Sequence, residues 1–230
     1  MNLVALETAT AVTAVAVGDG HDADEVVADD RRRHTEALAP ALEALLARRG
    51  LSAGDLDVVV VDVGPGLFTG LRVGVATAKG LAVAGGIPLA VVTSTDALAE
   101  AAATAGVTGE VCCVVDARRA EVFSARYRCV GGVAEPLSSV ELDDPALLAA
   151  RLAGTDGLTL VGDGAVRHHG EWHVRHVLRD DLVVPSPAAA IRLTVRRLGA
   201  GAAPLAHADV HPWYVREADA VANFAVREAP

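Results

Sequence analysis

Short apolar runs alternate with longer amphipathic segments in the first half of the chain, which is the pattern of an α/β protein. The apolar runs predict strands over residues 3–8, 12–17, 25–28, 57–63 and 88–92. Between them, the spacing predicts helices over 35–49, 69–84 and 96–105. The first three strands follow one another closely and predict a meander, whereas later strands alternate with helices and predict parallel pairing.

The segment 35–49 shows the helical period most clearly. Leu38, Leu42, Leu45 and Leu46 would share one face, and Gly50 would end the helix. Pro40 lies inside this segment, so we expect either a kink or a later start of the helix.

The second half of the chain repeats the design of the first. The apolar run 111–116 ends in Asp116, as the first run ends in Glu7, and a hairpin over 121–129 follows. Further elements are predicted at 145–153, 158–161 and 188–198. This repeat, offset by 109 residues, predicts two similar lobes, each with a mixed sheet and flanking helices, and a cleft between them. We expect lobes at 1–106 and 107–230, with an irregular tail from Ala203 that packs back on the first lobe.

Composition narrows the function classes. A formal net charge of −10 argues against direct nucleic-acid binding by the chain alone, because phosphate contacts need a basic surface. The apolar runs are too short to span a membrane, and no basic leader precedes Glu7. Three cysteines do not make a disulfide framework, so the expected compartment is the cytoplasm.

The glycine-rich segment 64–74 is the most specific motif. It follows a predicted strand and opens a predicted helix, where backbone N–H groups can bind an anion. The glycines can equally serve only a tight turn, and the spacing is not that of a P-loop. Within the helix, small residues recur every fourth position and would let another helix approach closely, either from the same chain or from a second one. These residues are Gly70, Gly74, Ala78 and Ala82, flanked by Arg72 and Lys79.

Acids at the ends of the two opening strands suggest a candidate nucleotide cleft. In phosphotransfer enzymes such acids hold magnesium, and here they would be Glu7, with Thr8 and Thr10, and Asp116. The turn after Glu7 lacks the glycines that close phosphate contact favours. The alternative is that these acids cap strands or pair with arginine.

Histidine pairs at the i,i+4 spacing are weak metal candidates. His169 and His173, and His207 and His211, have the spacing used by zinc sites on helices, but Gly170 and Pro212 interrupt the helices, and no third ligand is evident. We therefore expect no metal site and solvated histidines.

Several segments resemble the TsaB (YeaZ) family of bacterial tRNA threonylcarbamoyladenosine synthesis, in the same order along nearly the whole chain. The most specific is VDVGPGLFTGLRVGVATAKGLA, with its core Phe68-Thr69-Gly70-Leu71-Arg72. LVALETAT, VTSTDALAEAA, DARRAEVFSARY, GDGA and HPWYVRE support it. The resemblance implies the two-lobed actin, Hsp70 and sugar-kinase-like (ribonuclease H-like) fold.

The resemblance also implies a function. Proteins of this family are non-catalytic partners of TsaD, which transfers threonylcarbamoyl to an adenosine beside the tRNA anticodon, and TsaE, a small ATPase, completes the complex. It implies no catalytic residue and no tightly bound cofactor here, with any ATP and magnesium acting at the level of the complex. The net charge of −10 adds the expectation that tRNA is contacted mainly through the partners. An unpaired apolar interface predicts a homodimer when the chain is alone. The implied partner interface comprises Thr69, Gly70, Leu71, Arg72, Gly74 and Ala78, joined by Leu38 and Leu42.

Two other functions compete with this one. TsaD-like chains carry an H-x-x-x-H metal pair after the strand that follows this helix, but residues 91–97 contain no histidine, which argues against both the transferase itself and a metallopeptidase. An ATP-dependent phosphotransferase of the sugar-kinase kind remains the alternative. The preferred hypothesis predicts that Gly74→Arg blocks assembly while the monomer stays folded.

Overall fold

A computed structural model describes residues 1–28 and 34–215 of the chain. The first sheet has the order β3-β2-β1-β4-β5. Its strands are β1 (Leu3–Glu7), β2 (Thr13–Gly18), β3 (Ala23–Ala28), β4 (Val58–Asp62) and β5 (Leu89–Val92). The β1–β2–β3 meander is antiparallel, and β4 and β5 continue from β1 in parallel. All five predicted strands are therefore present.

The second sheet repeats this topology. Its strands are β6 (Gly109–Arg118), β7 (Glu121–Val130), β8 (Val133–Pro136), β9 (Glu141–Asp143), β10 (Thr159–Val161) and β11 (Val177–Leu178). The order is β11-β10-β6-β7-β8, with an antiparallel meander on one side of β6, parallel strands on the other, and β9 paired with β7. The predicted two-lobed α/β fold is confirmed.

Within the part of the chain that the structure describes, six α-helices cover the faces of the two sheets. They are α1 (His34–Arg49), α2 (Phe68–Gly85), α3 (Ser94–Thr104), α4 (Pro145–Leu152), α5 (Asp163–Arg167) and α6 (Pro187–Gly199). Helices α1 and α2 share an aliphatic core with one face of the first sheet. The later start proposed for α1 is wrong, because the helix begins at His34 and includes Pro40. Pro40 is the seventh residue of the helix and lacks the N–H that would donate to Glu36 O, so the helix continues through this position with one hydrogen bond fewer.

Helices α3 and α6 each pack on the sheet formed by the other half of the chain, an arrangement that we call the exchange of α3 and α6. Helix α3 follows the first sheet in sequence but packs on the second, whereas α6 comes late and covers the other face of the first. Ion pairs join the two helices where they meet. Arg196 binds the buried Glu100 through both of its terminal nitrogens, at 2.6 and 2.7 Å, and Arg197 binds Asp96 at 2.8 Å.

The segment after α6 returns to the first lobe. Leu205 forms an antiparallel bridge with Leu89 on the edge strand β5, and Val210 lies in the core beneath α1 and α2. The N–H of Trp213 donates to Val63 O at 2.7 Å. Of the motif at 211–217, the last two residues lie outside the described part of the chain. Among the described helices, none combines the length and apolar character needed to cross a membrane.

Candidate functional site

The turn between β4 and α2 is shaped by its glycines. Gly64 has φ 110°, a conformation that favours glycine, and its peptide bond to Pro65 is cis. A Cβ at Gly66 would overlap the carbonyl oxygen of Ala9 in the turn between β1 and β2. The N–H of Leu67 donates to that same oxygen at 2.6 Å. This N–H at the start of α2, which could bind an anion, is therefore already bonded within the chain, and the interpretation of the motif as a tight turn is favoured.

The small-residue stripe of α2 faces the chain's own β1–β2 turn. Thr8 Oγ1 donates to Gly70 O at 2.8 Å. A Cβ at Gly70 would overlap Thr8 O, and one at Gly74 would overlap Thr8 Oγ1. Of the two partners considered for the stripe, the internal one is therefore present in the structure.

This packing bears on the residues expected at the partner interface, and that expectation stays a prediction. Six of the eight are buried inside the chain and have no free surface for a partner: Gly70, Leu71, Gly74, Ala78, Leu38 and Leu42. Thr69 and Arg72 are exposed. With them, the outer side of α2 presents Phe68, Ala76, Gly80 and Val83, and we call these six exposed residues the α2 face. One sequence signal could have separated the buried side of α2 from its exposed side. The large apolar residues Leu71 and Val75 are four positions apart and therefore mark the buried side.

A buried pair of carboxyl groups lies beside this helix. The register pairs Leu6 with Val61 on parallel strands, so the next residues, Glu7 and Asp62, are brought together at the strand ends. Both are 2% exposed, and each carboxyl group is a close neighbour of the other. Asp62 Oδ2 is buried and has no hydrogen-bond partner among the described residues. Glu7 also accepts from the N–H of Ala9 at 2.6 Å, and Asp62 from that of Gly64 at 2.7 Å.

Burial raises the pKa of Glu7 well above its ordinary value, and the neighbouring Asp62 carboxylate raises it further. Burial also raises the pKa of Asp62, so the neutral form is favoured at both neighbouring carboxyl groups. Asp62 was not among the sequence-predicted site residues, because its position beside Glu7 becomes visible only once the strand register is known.

In the second lobe, Asp116 is paired with arginine. Its Oδ1 accepts from the N–H of Arg118 at 2.9 Å, and its Oδ2 lies 3.2 Å from the Arg118 guanidinium and 3.4 Å from that of Arg167. The N–H of Asp116 donates to Asp163 Oδ1 at 2.9 Å. Burial raises the pKa of Asp163. Of the two readings offered for Asp116, pairing with arginine is the one present in the structure.

The four residues of the candidate nucleotide cleft thus form internal contacts. Glu7 accepts from the N–H of Ala9, Thr8 donates to α2 and Asp116 pairs with arginine, while Thr10 Oγ1 accepts from the N–H of Val12 at 3.4 Å. The raised pKa of Glu7 makes it a poorer magnesium ligand, because Mg²⁺ prefers charged carboxylates. With these contacts in place, the four residues do not fit Mg-ATP bound to this chain alone.

The histidine pairs are exposed. His169 Nδ1 lies 3.2 Å from Val166 O, and His173 Nδ1 accepts from the N–H of Arg175 at 3.3 Å. Within residues 1–28 and 34–215, no group of three or more His, Cys, Asp or Glu side chains is arranged to hold a metal ion. The expectation that the whole chain holds no metal stays a prediction.

Comparison with known proteins gives concordant matches. The model of the family described as TsaD: tRNA N6-adenosine threonylcarbamoyltransferase matches residues 25–158, more than half of the chain. An uncharacterized protein of Mycobacterium leprae is 43% identical over 158 residues, which cover 66% of this chain and 43% of that protein. The tRNA threonylcarbamoyladenosine biosynthesis protein TsaB of Escherichia coli is 30% identical over 128 residues, covering 56% and 55%. The chain thus spans about half the length of these curated relatives.

The likeness to a solved structure is more extensive. The structure of YeaZ from Pseudomonas aeruginosa superimposes with a TM-score of 0.82 at 25% identity, covering 93% of this chain and 99% of that one.

Proposed function

This chain belongs to the family described as TsaD: tRNA N6-adenosine threonylcarbamoyltransferase and is similar to TsaB and YeaZ proteins, and we propose that it acts in tRNA threonylcarbamoyladenosine synthesis as a non-catalytic subunit. In this role it binds a TsaD-like catalytic subunit and stabilises that subunit's active conformation. A TsaE-like ATPase completes the complex, and tRNA contacts are made mainly by the partners.

The observation that carries the proposal is the internal bonding of the cleft. The β1–β2 turn is closed against α2 by the Thr8–Gly70 hydrogen bond, and the carboxyl groups at the strand ends bond within the chain. A phosphotransferase needs open backbone N–H groups and charged carboxylates at these positions to bind nucleotide and magnesium. The same contacts therefore argue against the sugar-kinase alternative.

The α2 face supports a partner-binding role. Phe68 and Val83 are large apolar side chains with exposed fractions of 38% and 60%. Between them, Ala76 and Gly80 allow close approach, and nothing lies within 4 Å of a Cβ built at Gly80. An exposed apolar helix face of this kind is typical of a surface that another protein covers. In the absence of the catalytic subunit, the same face is expected to form a homodimer.

Gly80→Arg tests the assignment, with Gly199→Arg as the matched control. Both glycines are helical and exposed, and both have open space around a Cβ, so each variant should stay folded. Isothermal titration against the TsaD-like subunit of the same organism should show wild-type affinity for the control and about 100-fold weaker binding for Gly80→Arg. Reconstituted threonylcarbamoyl transfer should fall in parallel.

Two results would contradict the proposal. One is transfer to tRNA by the purified chain alone. The other is turnover of Mg-ATP by the isolated chain, which would restore the phosphotransferase alternative. Wild-type affinity of Gly80→Arg would reject the α2 face as the docking surface.

A further inference from the structure

A compact cluster of aromatic rings and one arginine lies at the start of α2. The ring centroids of Phe68 and Tyr214 are 5.0 Å apart. The guanidinium carbon of Arg72 lies 3.7 Å from the Phe68 ring centroid, and Arg72 Nε donates to the Tyr214 hydroxyl at 3.0 Å. Phe68, Trp213 and Tyr214 are 38–42% exposed, although the chain has only two Trp, two Tyr and three Phe.

The segment that carries Tyr214 is firmly held. Two main-chain hydrogen bonds join it to β5: the N–H of Leu89 donates to Leu205 O at 3.1 Å, and the N–H of Leu205 donates to Leu89 O at 2.7 Å. Val210 is 1% exposed within the core, and Trp213 donates to Val63 O. Exposed aromatic rings on an anchored main chain lose little conformational entropy on binding, and Trp, Tyr and Arg are the residues that most often dominate interface energetics.

The charge of this surface points to the chemistry of its partner. Helix α2 carries Arg72 and Lys79 and no acid, in a chain of net charge −10. Stacking on Phe68 and the bond to Tyr214 hold the Arg72 guanidinium in one orientation, which leaves its terminal nitrogens suited to a carboxylate. No carboxylate of the described residues lies within ion-pair distance of Arg72. Another copy of the same face would bring a like charge, so the homodimer expected in the absence of the catalytic subunit should be weaker than the complex with a different, acidic partner.

We propose that Arg72 binds a carboxylate on the catalytic subunit, and that Tyr214 is a positioning residue that holds Arg72 for this contact. The segment after α6 is then part of the assembly surface. This inference rests on the proposed function and names the chemistry that the partner must present beside the apolar part of the α2 face.

The test measures affinity for the TsaD-like subunit by titration calorimetry at low and high salt. Arg72→Ala should weaken binding about 30-fold or more and reduce the salt dependence, because an ion pair is lost. Arg72→Lys, which keeps the charge without the guanidinium fork, should fall between this variant and the wild type. Tyr214→Phe keeps the ring and removes the hydroxyl, so it should weaken binding about 5-fold while the ion pair remains. Arg175→Ala, an exposed arginine of the second lobe paired with Asp156 at 2.6 Å, is the matched control.

The outcomes separate the inference from the function on which it rests. If the wild-type chain binds the subunit and Arg72→Ala binds equally well with the same salt dependence, the inference is refuted and the function stands. If the wild-type chain does not bind the subunit, the function itself fails. If Arg72→Ala instead weakens only self-association in sedimentation equilibrium, the occupant is a second copy and the inference is again refuted.

Discussion

Replacing Glu7 by Gln should stabilise the protein in a manner that depends on pH. The Gln amide can donate to Asp62 in place of the carboxyl proton, and its oxygen can still accept from the Ala9 N–H. In the unfolded chain, Glu7 titrates near its ordinary pKa of 4.5. The folded protein therefore binds one proton more than the unfolded chain above that pH, and the wild type loses stability as the pH rises towards the raised pKa.

The size of the effect follows from the proton uptake. Keeping Glu7 protonated costs about 1.4 kcal/mol for each pH unit above 4.5, so the upper limit at pH 7 is about 3 kcal/mol. Glu7→Gln should match the wild type near pH 4.5 and gain up to this amount by pH 7. Urea unfolding from pH 4.5 to 8 measures the difference. A pH-independent difference, or a loss of stability throughout, would refute the raised pKa of Glu7. Glu100→Gln is the control, because its carboxylate pairs with Arg196 and the change should destabilise by about 1–3 kcal/mol.

Three further outcomes follow from the packing. Gly70→Ala should lower the free energy of unfolding in urea by about 1–3 kcal/mol, because the added methyl group overlaps a carbonyl oxygen. The exposed Gly80→Ala should raise it by about 0.5–1 kcal/mol. Equal effects of the two changes would contradict the internal packing of the small-residue stripe. Arg196→Ala should lower stability by about 1–3 kcal/mol by leaving a buried carboxylate unpaired, and an unchanged unfolding midpoint would contradict that ion pair. The buried thiols should not react with a disulfide reagent until the protein unfolds, since burial raises the pKa of Cys112 to about 12 and of Cys129 to about 11; rapid reaction of the native protein would contradict this burial.

The elements that the sequence predicts well are those with a strong local pattern. The run of valines in β4 and the leucine period of α1 are visible without knowledge of their neighbours. The short strands β8, β9 and β11 and the helix α5 span two to five residues each and carry too little periodicity to be recognised.

The side of a helix that meets a partner depends on tertiary contacts. Gly70 and Gly74 indicated close approach, and close approach occurs, but to Thr8 in a turn sixty residues earlier in the chain. Nothing in the spacing distinguishes an internal partner from an external one. The pairing of Glu7 with Asp62 was likewise hidden, because it depends on the register of two strands that are distant in sequence.

The exchange of α3 and α6 has a consequence for synthesis on the ribosome. The first sheet leaves one face uncovered until α6, which ends at Gly199, has emerged and docked. The nascent lobe therefore keeps aliphatic side chains exposed from the synthesis of β5, which ends at Val92, until α6 is complete. A newly made chain is thus expected to need chaperone protection during elongation, and a stop codon before residue 187 should yield an aggregation-prone fragment instead of a stable half.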